Sequence, residues 1–231
     1  MSLLETAVGW LAPPTCVGCG AEGSALCTAC NSSEILPFGE RCWNCGVLSP
    51  RSKTCLACRQ KNYPNYVWVC TNYDGLAKKL VQKLKFNHQR AAAEPISGLM
   101  IETMLQQNDD MQLAAKRYLI IPVPTAASRV RQRGFDQTEL LAKAIAARLG
   151  IKKSSALRRL GSAKQVGSSR QTRQAQVKNS YLLKKGQAVS GRNILIIDDV
   201  VTTGATLAEM ATVLRRSGAR SVDALVFAKR L

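Results

Sequence analysis

Ile194-Leu195-Ile196-Ile197-Asp198-Asp199-Val200-Val201-Thr202-Thr203-Gly204-Ala205-Thr206 is the stretch on which the reading of this chain turns. An apolar run of strand length ends on two adjacent carboxylates. It then passes through a loop of threonines and glycine and enters a helical pattern over Leu207 to Leu214. Open parallel sheets bind ligands beyond the carboxyl ends of their strands. A loop there offers backbone N–H groups and the positive end of a helix to a phosphate. Gly204 lets the backbone approach closely, and the hydroxyls of Thr202, Thr203 and Thr206 add donors. Asp198 and Asp199 repel a phosphate, but they can accept hydrogen bonds from neighbouring sugar hydroxyls or help hold Mg2+. A sugar carrying one phosphate therefore satisfies both halves of the segment. A strand that merely ends in a polar turn explains the acids poorly, because paired carboxylates beside a buried strand are costly without a donor or cation. The Gly-Lys-Ser/Thr ending of a nucleotide-binding Walker loop is missing.

Outward from this segment, strand and helix patterns alternate. Val67 to Tyr73 reads as a strand, Leu76 to Phe86 and Ile96 to Leu105 as helices, and Asn108 to Met111 as a polar loop. Tyr118 to Val123 reads as a buried strand ending in a Pro turn, and Leu140 to Leu149 as a helix closed by Gly150. Ser162 to Lys178, rich in Ser, Gln and Arg, reads as a mobile loop, and Ser221 to Ala228 as a last strand. This alternation predicts an α/β fold, a mostly parallel sheet with helices on its faces.

The chain divides near residue 65. Residues 1–65 are predicted to form a small cysteine-rich module, and residues 66–231 the α/β domain. The 231 residues carry a net charge of +18, and the charge is uneven. The stretch from Arg129 to Arg192 holds 16 basic side chains against only Asp136 and Glu139, a field that attracts phosphorylated small molecules or nucleic acid. A solvated basic surface is the plainer alternative. No apolar run is long enough for a membrane span, and Met1 to Leu11 lacks the basic start of a signal peptide. A cytoplasmic protein without membrane insertion is expected.

Ile121-Pro122-Val123-Pro124-Thr125 leads into Arg129, Arg131 and Arg133, then Gly134-Phe135-Asp136-Gln137. A turn after a strand, with arginines beside it, can hold a second anion. The planar guanidinium fork suits diphosphate oxygens. A surface arginine cluster leading into a helix is the competing reading.

The thirteen residues quoted first resemble the motif of type I phosphoribosyltransferases that binds 5-phosphoribosyl diphosphate (PRPP). That resemblance implies a catalytic pair, Asp198 and Asp199, on the ribose hydroxyls. It implies a 5-phosphate loop formed by Val201, Thr202, Thr203, Gly204, Ala205 and Thr206. With the cysteine-rich front, the Pro-Val-Pro turn and the Arg-Gly-Phe element, nearly the whole chain resembles the ComF family, phosphoribosyltransferase-like proteins that carry a double zinc-ribbon module before a type I phosphoribosyltransferase fold. Asp136 stands where that family has Asn, which adds negative charge to a positive stretch. A further family element is matched by Gln165, Arg173 and Tyr181, with Gln176 at its Asn position. Pro124, Thr125, Arg129 and Arg133 are candidates for the diphosphate. A hood over Ser162 to Gln176 would bring Arg170 or Arg173 onto the leaving group, with a solvated basic loop as the alternative.

Eight of the nine cysteines form four CxxC pairs, Cys16/Cys19, Cys27/Cys30, Cys42/Cys45 and Cys55/Cys58. In a reducing compartment such pairs are metal ligands more often than disulfides. Eight thiolates suffice for two tetrahedral zinc sites, with an iron–sulfur cluster or redox dithiol as alternatives. Gly20 and Gly46 follow the second cysteine of their pairs, as in zinc knuckles. The short gaps favour local sites, and a crossed pairing stays open. A segment with so little core needs such staples. Trp43, Tyr63, Tyr66 and Trp68 read as packing of the junction, with base stacking the alternative. Cys70 reads as a core side chain, and the lone His88 as a surface residue.

Two functions follow from the resemblance. One is an enzyme that moves the ribosyl phosphate of PRPP, with Mg2+ on the diphosphate, to an acceptor the sequence does not name. The other is a single-stranded DNA-binding protein of natural transformation whose PRPP site senses a ligand.

Overall fold

A computed structural model of the chain describes residues 13–59, 62–86, 90–107, 117–160 and 180–230. Two short helices, α1 (Thr28–Glu34) and α2 (Leu56–Arg59), lie in the cysteine-rich front. Then come β1 (Val67–Asn72), α3 (Gly75–Phe86), α4 (Ala93–Gln106), β2 (Tyr118–Pro122), α5 (Ala127–Arg133) and α6 (Gln137–Leu149). The chain ends with β3 (Leu157–Arg159), β4 (Tyr181–Leu183), β5 (Asn193–Val201), α7 (Ala205–Arg216) and β6 (Ser221–Lys229).

Four strands form a parallel sheet in the order β1-β6-β5-β2. The two inner strands, β5 and β6, are almost wholly buried. That is why they read as continuous apolar runs rather than alternating ones. The antiparallel pair β3–β4 brackets residues 161–179. The predicted hood and its Arg170 and Arg173 lie outside the described residues, as do Asn108 to Met111, and His88. The sequence reading did not foresee β3, β4 or α5. Each is short, and α5 is the arginine-rich turn.

Side chains of the sheet alternate between two cores. Trp68, Cys70, Ile120, Leu195, Ile197, Leu225 and Phe227 face α3, α4 and α6. Val69, Ile121, Ile194, Ile196, Ala224 and Val226 face α7 and the β3–β4 pair. The front contributes to both. Cys16, Leu26 and Cys30 pack into the first core, while Phe38, Cys42, Trp43 and Cys58 pack into the second. Between them the chain crosses the edge of β1, where Phe38 N–H donates to the Cys70 carbonyl at 2.8 Å. An edge strand with unpaired backbone is thereby covered. No helix among the described residues is long and apolar enough to cross a membrane.

Candidate functional site

The carboxyl ends of β2 and β5 are adjacent, and the two loops singled out in the sequence meet there. Pro122 is in register with Ile197, and Val123 N–H donates to the Ile197 carbonyl at 3.0 Å. The Pro-Val-Pro turn therefore lies directly beside Asp198.

Both acids are buried. Asp198 Oδ1 accepts from the Asp199 backbone N–H at 2.9 Å. Burial, with the charge of Asp199 behind it, pushes the Asp198 carboxyl up to about 8. Lys85 Nζ, from the last turn of α3, stands 2.8 Å from Asp199 Oδ2. The contact is an ion pair rather than an aligned hydrogen bond, and Oδ2 has no hydrogen-bond partner. The ammonium balances the charge of this buried oxygen, and its remaining lone pair can still meet a sugar hydroxyl or a cation. The sequence reading missed Lys85, whose only signal was a lysine near the end of an amphipathic helix.

Beyond the acids, Val201 is buried, and Thr202, Thr203, Ala205 and Thr206 are partly exposed. Gly204 precedes α7 at φ +74, a left-handed conformation that side-chain-bearing residues adopt at a cost. Ala205 N–H faces the Thr203 hydroxyl at 3.5 Å. The loop has walls. Lys229 Nζ, near the end of β6, donates to the Thr202 carbonyl. Tyr63 Oη donates to the Thr203 carbonyl at 3.4 Å.

The first loop is built differently. Asp136 caps α6, accepting from the N–H groups of Thr138 and Glu139. It also accepts from the Thr125 N–H at 3.1 Å and the Thr125 hydroxyl at 2.9 Å. The acid that stood out in a positive stretch thus pins the Pro124–Thr125 turn to the start of a helix. Thr125 spends both donors on this cap. Arg133 is buried and donates to Gln137 Oε1 at 2.8 Å, while Arg129 and Arg131 are exposed. Burial lowers the Arg133 pKa, and the charge of Asp199 opposes that shift.

The cysteines form two groups, Cys16/Cys19/Cys27/Cys30 and Cys42/Cys45/Cys55/Cys58, so the pairing left open by the sequence is local. Within each group the four sulfurs lie within 4.8 Å of one another. Cys16 and Cys19 each stand 3.7 Å from Cys27, and Cys45 stands 3.6 Å from Cys55. A tetrahedron of Zn–S bonds about 2.3 Å long has edges of roughly 3.8 Å. Both groups can therefore hold zinc. Burial raises the Cys16 thiol, but the backbone N–H groups of Cys27, Cys19 and Gly18 outweigh it and hold the thiol down to about 6. Cys70, away from both groups, is pushed up to about 12 by burial. Trp43, Tyr63 and Trp68 are buried at the junction, and Tyr66 stacks on Trp68 at 5.7 Å.

Residues 137–231 match the phosphoribosyl transferase domain family. The DNA utilization protein YhgH of Escherichia coli O6:H1 is 32% identical over 204 residues, covering 86% of this chain and 87% of that protein. Competence protein F of Haemophilus influenzae is 26% identical over 206 residues, covering 87% and 88%. Competence protein ComFC of Bacillus subtilis is 28% identical over 177 residues, covering 77% of this chain and 67% of that protein. The chain belongs to the ComF family. Its sheet and flanking helices have the type I phosphoribosyltransferase fold, with two four-cysteine groups at the front.

Proposed function

We propose that this ComF-family chain binds a 5-phosphoribosyl ligand such as PRPP across the ends of β2 and β5, in the cytoplasm, and that it serves DNA uptake. Asp198 and Asp199 take the ribose hydroxyls, and Val201 to Thr206 take the 5-phosphate. Pro124, Thr125, Arg129 and Arg133 lie toward the diphosphate, and Arg170 or Arg173 closes over it. The observation that carries this reading is the buried pair Asp198 and Asp199 at the end of β5, with Asp199 Oδ2 facing the Lys85 ammonium at 2.8 Å, directly before a phosphate-type loop at a helix start. Residues 1–65 act as a zinc-ribbon module for residues 66–231, with two structural zinc ions on the eight cysteines. Mg2+ belongs to the diphosphate, whose charge it neutralises when bound. In a transfer reaction the chain's own part is to hold the sugar and phosphate in place and to meet the charge that develops between them. Calorimetric titration of PRPP with Mg2+ tests the site. Saturable binding by the native chain, abolished in Asp198→Ala/Asp199→Ala, is expected. A folded, zinc-loaded native chain that binds no PRPP would sink the reading.

A second reading, direct binding of single-stranded DNA, is favoured by the charge of +18, by exposed Arg129 and Arg131, and by relatives named for DNA utilization and competence. Such binding weakens steeply with salt, roughly in proportion to the number of phosphates contacted. An oligonucleotide affinity that stays constant from low to physiological salt would contradict it.

A further inference from the structure

The second cysteine group lies against the phosphate loop, and one side chain makes the contact. Trp43 sits between two of its cysteines, Cys42 and Cys45. Its ring occupies the space that a Cβ on Gly204 would need. Trp43 Cζ3 would be 2.6 Å from that atom, Cη2 closer still, and Tyr63 Cε1 3.2 Å away. The Trp43 ring is itself fixed on several sides. Its Nε1–H donates to Thr54 Oγ1 at 3.3 Å, and Thr54 donates to the Pro64 carbonyl at 2.7 Å. Tyr63 meets the ring edge to face, with centroids 4.9 Å apart at 81°. The Lys229 ammonium lies 6.0 Å from the ring centroid while it holds the Thr202 carbonyl.

The far end of α7 is tied to the same segment. Arg215 donates to the carbonyls of Asn62 and Tyr63 and to Asn65 Oδ1, at 2.9 to 3.3 Å. The helix that follows the loop is thus held at both ends by residues 43–65. The first cysteine group has no such contact among the described residues. Cys16 and Cys30 pack on the other face of the sheet, and a Cβ on Gly18 would meet Cys30 and Leu76 of α3.

We propose, on the reading of this loop as a phosphate site, that metal at Cys42/Cys45/Cys55/Cys58 positions the loop for its ligand through Trp43, whereas metal at the first group stabilises the fold alone. A four-coordinate metal fixes the backbone of its ligands. Cys42 and Cys45 flank Trp43, so closing that site fixes the backbone that carries the ring. The ring holds Gly204 in the left-handed turn that opens α7. Trp43 is a positioning residue in this scheme. Loss of the second metal to a chelator would loosen the loop and release the sugar phosphate without unfolding the sheet.

Ribose 5-phosphate is the probe, titrated calorimetrically into the full chain, with zinc content and thermal stability measured on each sample. Trp43→Phe keeps a buried aromatic but withdraws the outer ring from Gly204. Its affinity is expected to fall roughly tenfold, with a loss of thermal stability comparable to that of the control that follows. Leu26→Ala, a truncation at the first group, is the control. It should lower thermal stability and leave affinity as in the native chain. Cys45→Ser/Cys55→Ser should carry one zinc and lose at least as much affinity as Trp43→Phe. If the native chain binds and Trp43→Phe binds equally well, the coupling is overturned. A folded one-zinc double variant with native affinity overturns it too. A native chain that ignores ribose 5-phosphate overturns the phosphate reading itself, and with it the coupling.

Discussion

The two cysteine knuckles make the same turn and serve different neighbours. Gly20 N–H donates to the Cys16 carbonyl at 3.0 Å, and Gly46 N–H to the Cys42 carbonyl at 2.8 Å. Both glycines have φ +78. Between the cysteines the first knuckle has Val17-Gly18 and the second Trp43-Asn44. The first packs on the α3 side of the sheet and the second on the α7 side. The CxxC turn thus has the same geometry in both knuckles, while the two residues it presents determine what the loop touches. A zinc knuckle acts as a rigid mount whose payload is set by the x-x of its CxxC.

The largest expected effect tests that mount. Gly204→Ala carries the strain of φ +74 and an overlap with the Trp43 ring. Together these should cost about 3 kcal/mol of unfolding free energy. Gly46→Ala has nearly the same φ and no atom within 4 Å of the new Cβ, so it should cost only about 1 kcal/mol. In a Trp43→Phe background the penalty of Gly204→Ala should shrink toward that value. Chemical denaturation of the four chains measures the coupling. Equal penalties for Gly204→Ala and Gly46→Ala would show that the ring presses on nothing.

The next effect separates the metal side of the phosphate loop from its acid side. The folded Asp198 carboxyl keeps its proton up to about pH 8, whereas the unfolded one loses it near 3.8. Between these limits the unfolded chain binds fewer protons, so this group makes stability fall as pH rises. Asp198→Asn removes that slope, which is about 1.4 kcal/mol per pH unit at most. The variant should gain thermal stability over the native chain as pH rises from 6 to 8, while losing ribose 5-phosphate binding. A packing contact has no such titration, so the difference between Trp43→Phe and native should stay flat over the same range. A gain for Asp198→Asn that does not grow with pH would place the Asp198 proton elsewhere.

Much of this was legible before any coordinates. The run Ile194 to Thr206 announces its strand, its acids and its loop, because a buried strand and a glycine turn into a helix each demand particular residue types in a row. The eight cysteines announce two metal sites for the same reason. Lys85, the cap made by Asp136, and the ring of Trp43 on Gly204 were not legible as contacts. Lys85 and Asp199 are 114 positions apart, and no local pattern pairs a lysine in a helix end with an acid after a distant strand. Asp136 shows a cap signature only once the helix is known to begin at Gln137 rather than Leu140. Trp43 looks like any aromatic near a cysteine until the fold brings residue 204 to it.

The smallest expected effect concerns the second of the two presented residues. Asn44 Nδ2 donates to Cys58 Sγ at 3.3 Å, across the second metal group. Gly18, at the equivalent place in the first knuckle, has no side chain to do this and no room for one, since a Cβ would stand 2.7 Å from Cys30 Sγ. An N–H donor to a ligating thiolate steadies it, and removing such an outer contact typically weakens metal binding by about tenfold or more. Apart from the weaker metal, stability should hardly move, because Asn44 Oδ1 is buried without a partner and its removal recovers part of the loss. In the zinc-free chain Asn44→Ala should therefore lower unfolding free energy by only about 0.5 kcal/mol. A chelator should nonetheless take the second zinc from the variant before the first. Tracking zinc release against ribose 5-phosphate affinity in Asn44→Ala then links metal and ligand without touching a cysteine or the loop. If the chelator draws both zinc ions in the native order and at the native rate, the Asn44 contact has no part in holding that metal, and Trp43 alone distinguishes the two knuckles.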